Sequence, residues 1–204
     1  MKHDATADRL LRSARALFAA HGYSGTSIRQ ITARAHTNLG AVTYHFGTKR
    51  ELYHAVLDAV VTPLMDRVRL AAGQPGPPLA RIEGIIRAYF GHLTEQPDMP
   101  LLMVHQMTLS GPFPPPLVRL QQTVLEALVS LVGEGQREGS VREGAPLLYT
   151  MSILAQPVFM FIARRAMVQT AGLDLASPAV RATLEQHAVT FARRGLATTS
   201  GGFS

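Results

Sequence analysis

Apolar positions recur at three- and four-residue spacing through most of the chain, with no strand signal or internal repeat of comparable strength. That period predicts an all-α protein of about nine helices. Leu10, Ala14, Leu17 and Phe18 form the buried stripe of a first helix near residues 5–21, and Gly22 is placed to end it. A long helix is expected from Lys49 to about Ala72, with Leu52, Val56, Ala59, Val60, Leu64 and Val68 inward and Pro63 placed to kink it. The glycine- and proline-rich run 73–78 marks a linker. Leu79, Ile82, Ile86, Tyr89, Phe90 and Leu93 define the next helix, residues 99–109 a shorter one, and Leu120, Val124, Leu128, Leu131 and Val132 one face of a helix over 117–134. Between these last two, Pro114, Pro115 and Pro116 predict a turn or short extended piece, because a helix interior excludes consecutive prolines. One helix is expected over 146–170, and Ser177 followed by Pro178 opens a final one to about Arg194. Residues 198–204 read as a frayed tail.

Local signals are densest between the first helix and the long one. Ser27 and Gln30 have the spacing of a capping box, so a short helix begins there, with Ile28, Ile31 and Ala35 on one face. After a turn at His36 and Thr37, Asn38 caps a second short helix anchored by Val42 and Phe46. Its other face carries Leu39, Gly40, Thr43 and His45, which would bury little core. Gly47 can end it, and Thr48 with Glu51 forms another capping box, so a third helix starts almost at once. Two short helices joined by a tight turn are a standard means of putting a helix into DNA. In the major groove, Leu39 would touch a thymine methyl, Thr43 a base edge or phosphate, and Gly40 would permit close approach.

Leu17-Phe18, Gly22-Tyr23, Thr26-Ser27, Ile31, Gly40-Ala41, Tyr44-His45-Phe46, Lys49 and Leu52 resemble, in order and spacing, the N-terminal domain of TetR-family transcriptional regulators. On that resemblance, residues 1–50 form a three-helix helix-turn-helix DNA-binding domain and 51–204 a larger helical domain for effector binding and dimerisation. Tyr44 and Lys49 would grip phosphates, with Thr26, Ser27 and Asn38 adding hydroxyl, amide or helix-terminal contacts. A core role for Tyr44, and a capping or packing role for His45, stay open beside DNA contact. The chain departs from the family at His36 and Thr37, where glycine and valine are usual. A positive φ at His36 would cost about 1 kcal/mol.

Charge agrees with this placement. Residues 1–54 hold eight Lys/Arg against three Asp/Glu, a net +5 of the +6 carried by the whole chain, so phosphate neutralisation belongs to the N-terminal end. With no cysteine, disulfides, a thiol sensor and thiolate metal sites are excluded. The polar N-terminus lacks the apolar core of a signal peptide, so a cytoplasmic location is expected. The apolar run 147–163 has 17 residues and includes Tyr149, Thr150, Ser152, Gln156 and Pro157, which favours a buried helix over a membrane span. No nucleophile motif, metal-ligand pair or phosphate-cradling glycine loop appears, so neither an enzyme nor a cofactor is expected.

One small head covers too few base pairs for useful specificity, which implies a homodimer on a palindromic operator in double-stranded DNA. By the same resemblance, Met151, Leu154, Phe161, Val180, Leu184 and Phe191 on the last two helices are dimer-interface candidates, with intrachain core as the alternative. Met103, Met107, Met151, Phe159 and Met160, with His105 and Gln156 as polar partners, are candidates for a site taking a hydrophobic small molecule, although core packing would also explain the methionines. Few acidic residues fall on inward faces, so a neutral or anionic effector is expected over a cation. An effector favouring a state with the heads away from one-turn spacing, roughly 34–36 Å, would relieve repression. A sequence-indifferent architectural DNA binder and a helical partner-binding protein with a vestigial head are the alternatives.

Overall fold

The computed structural model describes residues 5–107 and 112–198, the side chain of Met107 excepted. Its ten helices, among the described residues, are α1 (Ala5–His21), α2 (Ile28–Arg34), α3 (Leu39–Phe46), α4 (Lys49–Ala72), α5 (Pro78–Glu95), α6 (Met99–Met107), α7 (Pro115–Arg137), α8 (Pro146–Ile162), α9 (Arg164–Ala171) and α10 (Pro178–Leu196). The only pairing of strand type among these residues is an isolated bridge between Val141 and Ala197. No single described helix is long and apolar enough to cross a membrane.

The chain divides into two compact units, one of Met1–Thr62 with Asp98–Arg119, the other of Pro63–Pro97 with Leu120–Ser204. The sequence reading placed a boundary at residue 50; the units divide inside α4 before Pro63, between α5 and α6 before Asp98, and inside α7 before Leu120. In the first unit, α1 packs against α2, α3 and α6. Leu10, Ala14, Phe18, Ile31, Val42, Leu52 and Val56 are buried at its centre. In the second, α5, α8 and α10 pack on one another. Ile82, Ile85, Ile86, Phe90, Val124, Leu128 and Val189 are buried there.

Three expectations are corrected. Of the proline run only Pro114 lies outside a helix: Pro115 and Pro116 are the first two residues of α7, and the amides of Leu117 and Val118 donate to the Pro114 carbonyl at 3.0 and 3.2 Å. A first turn has no intrahelical use for its N–H groups, so proline loses nothing there. The helix expected over 146–170 is two, α8 and α9, bent by 74° at Ala163. The apolar pattern gives way to Arg164 and Arg165 at that point, and the Arg164 guanidinium donates to the Phe161 carbonyl at 3.1 Å, supplying a partner at the break. Ala59, expected inward on α4, is exposed. The end of the 99–109 helix lies partly outside the described residues, as does most of the tail.

Candidate nucleic-acid interface

Side-chain caps set the ends of the two short helices. The Ser27 hydroxyl accepts the Gln30 amide at 3.2 Å, and Gln30 Oε1 accepts the Ser27 amide at 2.7 Å, both halves of the expected capping box. α2 closes through His36, whose φ of 51° is the only positive value at a non-glycine among the described residues. The His36 amide donates to the Ala33 carbonyl at 3.2 Å and the Thr37 amide to the Thr32 carbonyl at 3.0 Å, a Schellman closure with His36 where glycine is usual. Arg9 Nε donates to the Ala35 carbonyl at 3.3 Å and ties α1 to this turn. Asn38 Oδ1 accepts the Ala41 amide at 2.9 Å to start α3. At the far end, Gly47 has φ 79°, and an added Cβ would come within 2.5 Å of Glu51 Oε2. That carboxylate is in use, accepting the Thr48 amide at 2.8 Å while Thr48 Oγ1 accepts the Glu51 amide at 3.2 Å.

Held this way, α3 buries Val42 and turns Leu39, Gly40, Thr43 and Tyr44 outward. Tyr44 is 83% exposed and Leu39 50%, so Tyr44 is not a core aromatic. His45 is half-buried, 4.8 Å from the Tyr44 ring and 6.3 Å from Phe46. Ser27 and Asn38 are exposed. Thr26 is corrected from a contact residue to a positioning one: it is buried, and its hydroxyl is within donating distance of the Gly22 carbonyl at 2.9 Å and the Leu17 carbonyl at 3.1 Å. Lys49 is half-buried, with Nζ 4.3 Å from the centre of the Tyr23 ring, and desolvation lowers its pKa from the ordinary lysine value.

The aromatic cluster under Lys49 was not foreseen. Phe18 and Tyr53 meet edge-on at 4.8 Å, and Tyr23 lies 5.1 Å from Tyr53. The Tyr53 hydroxyl accepts from Gln106 Nε2 at 2.7 Å, and burial pushes its pKa up to about 12 against the opposing pull of that bond. An unbroken set of contacts therefore runs from Gln106 of α6 through Tyr53 and Tyr23 to Lys49. Arg15 pairs with Asp98, and a ring nitrogen of His105 lies 3.3 Å from the Ala19 carbonyl. The His105 ring also stands where a Cβ on Gly22 would approach to 3.2 Å. His105, expected to orient an effector, packs on the end of α1.

Met103 is half-buried in the first unit, and the Met107 side chain lies outside the described residues. Met151 and Phe159 are exposed on α8 and Met160 is half-buried. Gln156 lines a cavity of about 210 Å³ with Ile153, Ala188 and Phe191. Helix α8 is apolar around most of its circumference, so periodicity could not separate its inner from its outer face. Among the dimer candidates, Leu154, Val180 and Leu184 are half-buried and Phe191 is 62% exposed. Phe161 is corrected to intrachain core: it is buried, 6.2 Å from Phe90.

Residues 10–56 match the family described as bacterial regulatory proteins, tetR family, and residues 78–191 match the tetracyclin repressor-like C-terminal domain. The HTH-type transcriptional repressor Rv3405c of Mycobacterium tuberculosis is 51% identical over 55 residues, which span 27% of this chain and only 29% of that protein. The HTH-type transcriptional repressor NicS of Pseudomonas putida is 23% identical over 200 residues, 95% of this chain and 93% of that protein. Among solved structures, the ketosteroid transcriptional regulator KstR2 of Mycobacterium tuberculosis has the same fold, with a TM-score of 0.76 at 20% identity over 94% of this chain and 95% of that one.

Proposed function

The chain belongs to the TetR family of transcriptional regulators, and from that premise we propose that it is a repressor that binds a palindromic operator as a homodimer and releases it when a hydrophobic small molecule binds. The outward face of α3 carries the proposal: Leu39, Gly40, Thr43 and Tyr44 bury no core on a helix whose opposite side is anchored by Val42. Leu39 and Thr43 read base edges, Gly40 admits the groove, and Tyr44, Ser27, Asn38 and Lys49 hold phosphates. His45 steadies the Tyr44 ring. The Tyr23 ring steadies the half-buried Lys49, a cation–π contact worth between about 0.5 and 2 kcal/mol. Held there, its ammonium N–H donors reach a phosphate, a hydrogen bond to a charged group being worth about 1.5–3 kcal/mol.

Dimerisation is supported by apolar side chains that the single chain leaves in water. Leu147, Leu148 and Met151 of α8 and Phe191 of α10 are each more than half exposed. A second copy would cover them and seal the half-buried Leu154, Val180 and Leu184. Repression is favoured by the names of Rv3405c and NicS, and an apolar effector by that of KstR2. To empty an operator, the effector must prefer the released state by several kcal/mol.

Selection of bound fragments from the source genome tests the proposal, comparing the native protein with a Tyr44→Ala/Lys49→Ala double variant at near-physiological salt. A palindrome recovered by the native protein and lost with the variant is the expected result. The same unpatterned fragments from both, or none from either, would overturn it.

A further inference from the structure

We propose, resting on the effector-responsive reading above, that the effector is an amphipathic organic anion whose headgroup is held by Arg164, Arg165 and Arg181 beside the α8–α9 break. The 74° bend at Ala163 accompanies a cavity of about 400 Å³ within the second unit. That volume falls within the roughly 300–1,000 Å³ of small-molecule sites. Phe161, Val168 and Leu175 supply an apolar wall for a hydrocarbon body. The charged part of the lining is three guanidiniums against one carboxylate, Asp174.

Five other arginines of the same unit are neutralised, Arg67 by Glu95, Arg69 by Asp66, Arg81 by Glu134, Arg87 by Glu185 and Arg193 by Glu83, whereas Arg137, Arg142 and Arg194, which do not line this cavity, form no ion pair among the described residues. Among the described residues, none of the three cavity arginines forms an ion pair with a carboxylate. Asp174 is already engaged, its Oδ1 accepting the Ala176 amide at 2.8 Å. Two of the arginines are tethered. Arg164 Nη1 donates to the Phe161 carbonyl at 3.1 Å, and Arg181 Nη1 to the Leu175 and Ala176 carbonyls at 3.0 and 3.1 Å. Each guanidinium keeps further N–H donors in a planar fork that matches a carboxylate or phosphate. Forks already fixed lose less freedom when the anion arrives. A neutral molecule would use only the apolar wall, and a cation would be repelled.

Helix α9 gives the site a structural consequence. It buries none of its residues and has no side-chain cap at its start. An anion bridging Arg164 and Arg165 at the start of α9 to Arg181 of α10 would fix a helix that the core does not fix.

Titration of the full chain with octanoate, octyl phosphate, octanol and octylammonium, by calorimetry and thermal shift, tests this. At least one anion is expected to bind about tenfold or more tighter than octanol, with octylammonium weaker still, and the order of the two anions distinguishes a carboxylate from a phosphate headgroup. Arg165→Gln, at an exposed side chain, should weaken the anion about tenfold and leave octanol unchanged. Arg164→Gln/Arg181→Gln should abolish the preference for the anion; if circular dichroism shows that variant unfolded, Arg165→Gln decides. Octanol binding as tightly as both anions, no binding by any probe, or an anion preference untouched by Arg165→Gln would overturn the proposal. Operator binding is measured on the same samples. Normal operator binding without an anion preference refutes the anion site alone, whereas absent operator binding refutes the repressor reading whatever the probes do.

Discussion

Two helix pairs in this molecule are joined by short breaks, and they are built differently. At α2–α3, Ser27, Asn38 and the His36 closure each satisfy a helix end with a local device. At α8–α9, neither Ala145 nor Ala163 offers a side-chain cap, and α9 buries nothing. Helices of seven and eight residues are too short to persist alone, so α2 and α3 depend on those caps and on α1. On the proposed function, the difference separates an element whose ends are fixed by local caps, suited to presenting Leu39 and Thr43 at set angles, from one that its surroundings shape and that the proposed anion would fix.

Substitutions break or sharpen the contrast. The largest expected loss is from Phe18→Ala, which empties the fully buried position against Tyr53; about 3–5 kcal/mol should appear in denaturant unfolding. Gln106→Ala strands the Tyr53 hydroxyl in a buried site, with an expected loss of about 1–3 kcal/mol by the same assay. It should also lower DNA affinity, because Tyr53 supports the Tyr23 ring under Lys49. Asn38→Ala should cost about 1 kcal/mol, whereas Ala145→Ser, adding a cap where α8 has none, should gain up to about 1 kcal/mol; equal and opposite thermal shifts would sharpen the difference between the pairs. Smallest of all, His36→Gly should stabilise by about 1 kcal/mol or less, relief of the positive φ being partly offset by the greater freedom of unfolded glycine. A destabilising result would mean that His36 makes contacts beyond its turn.

How far each region could be read in advance follows from the same contrast. Capping boxes, an asparagine cap and a glycine stop act over three or four residues, so the α2 to α4 boundaries were legible, down to the strained turn at His36. The start of α7 was misjudged because the rule against proline in a helix interior does not apply to its first turn. The bend at Ala163 was illegible, since α8 is apolar on nearly every side and no proline, glycine or capping side chain marks that point, the Arg164 bond to the Phe161 carbonyl forming only in the fold. Tyr53 and Gln106, 53 positions apart, meet only through tertiary packing, and the approach of His105 to the Ala19 carbonyl is hidden from the sequence for the same reason. Thr26 matched the resemblance in type, but its burial could be known only from the fold.

The central claim is that the outward face of α3 reads sequence while Tyr44 and Lys49 supply position. Its most direct test is the affinity of native protein, Leu39→Ala/Thr43→Ala and Tyr44→Ala/Lys49→Ala for the recovered palindrome and for a scrambled duplex, across a range of salt. The native protein should prefer the palindrome by about 10³ or more. Leu39→Ala/Thr43→Ala should lose that preference while keeping salt-sensitive binding to both duplexes, and Tyr44→Ala/Lys49→Ala should weaken both with a shallower salt slope. Equal native affinity for the two duplexes, or a preference untouched by Leu39→Ala/Thr43→Ala, would contradict the claim.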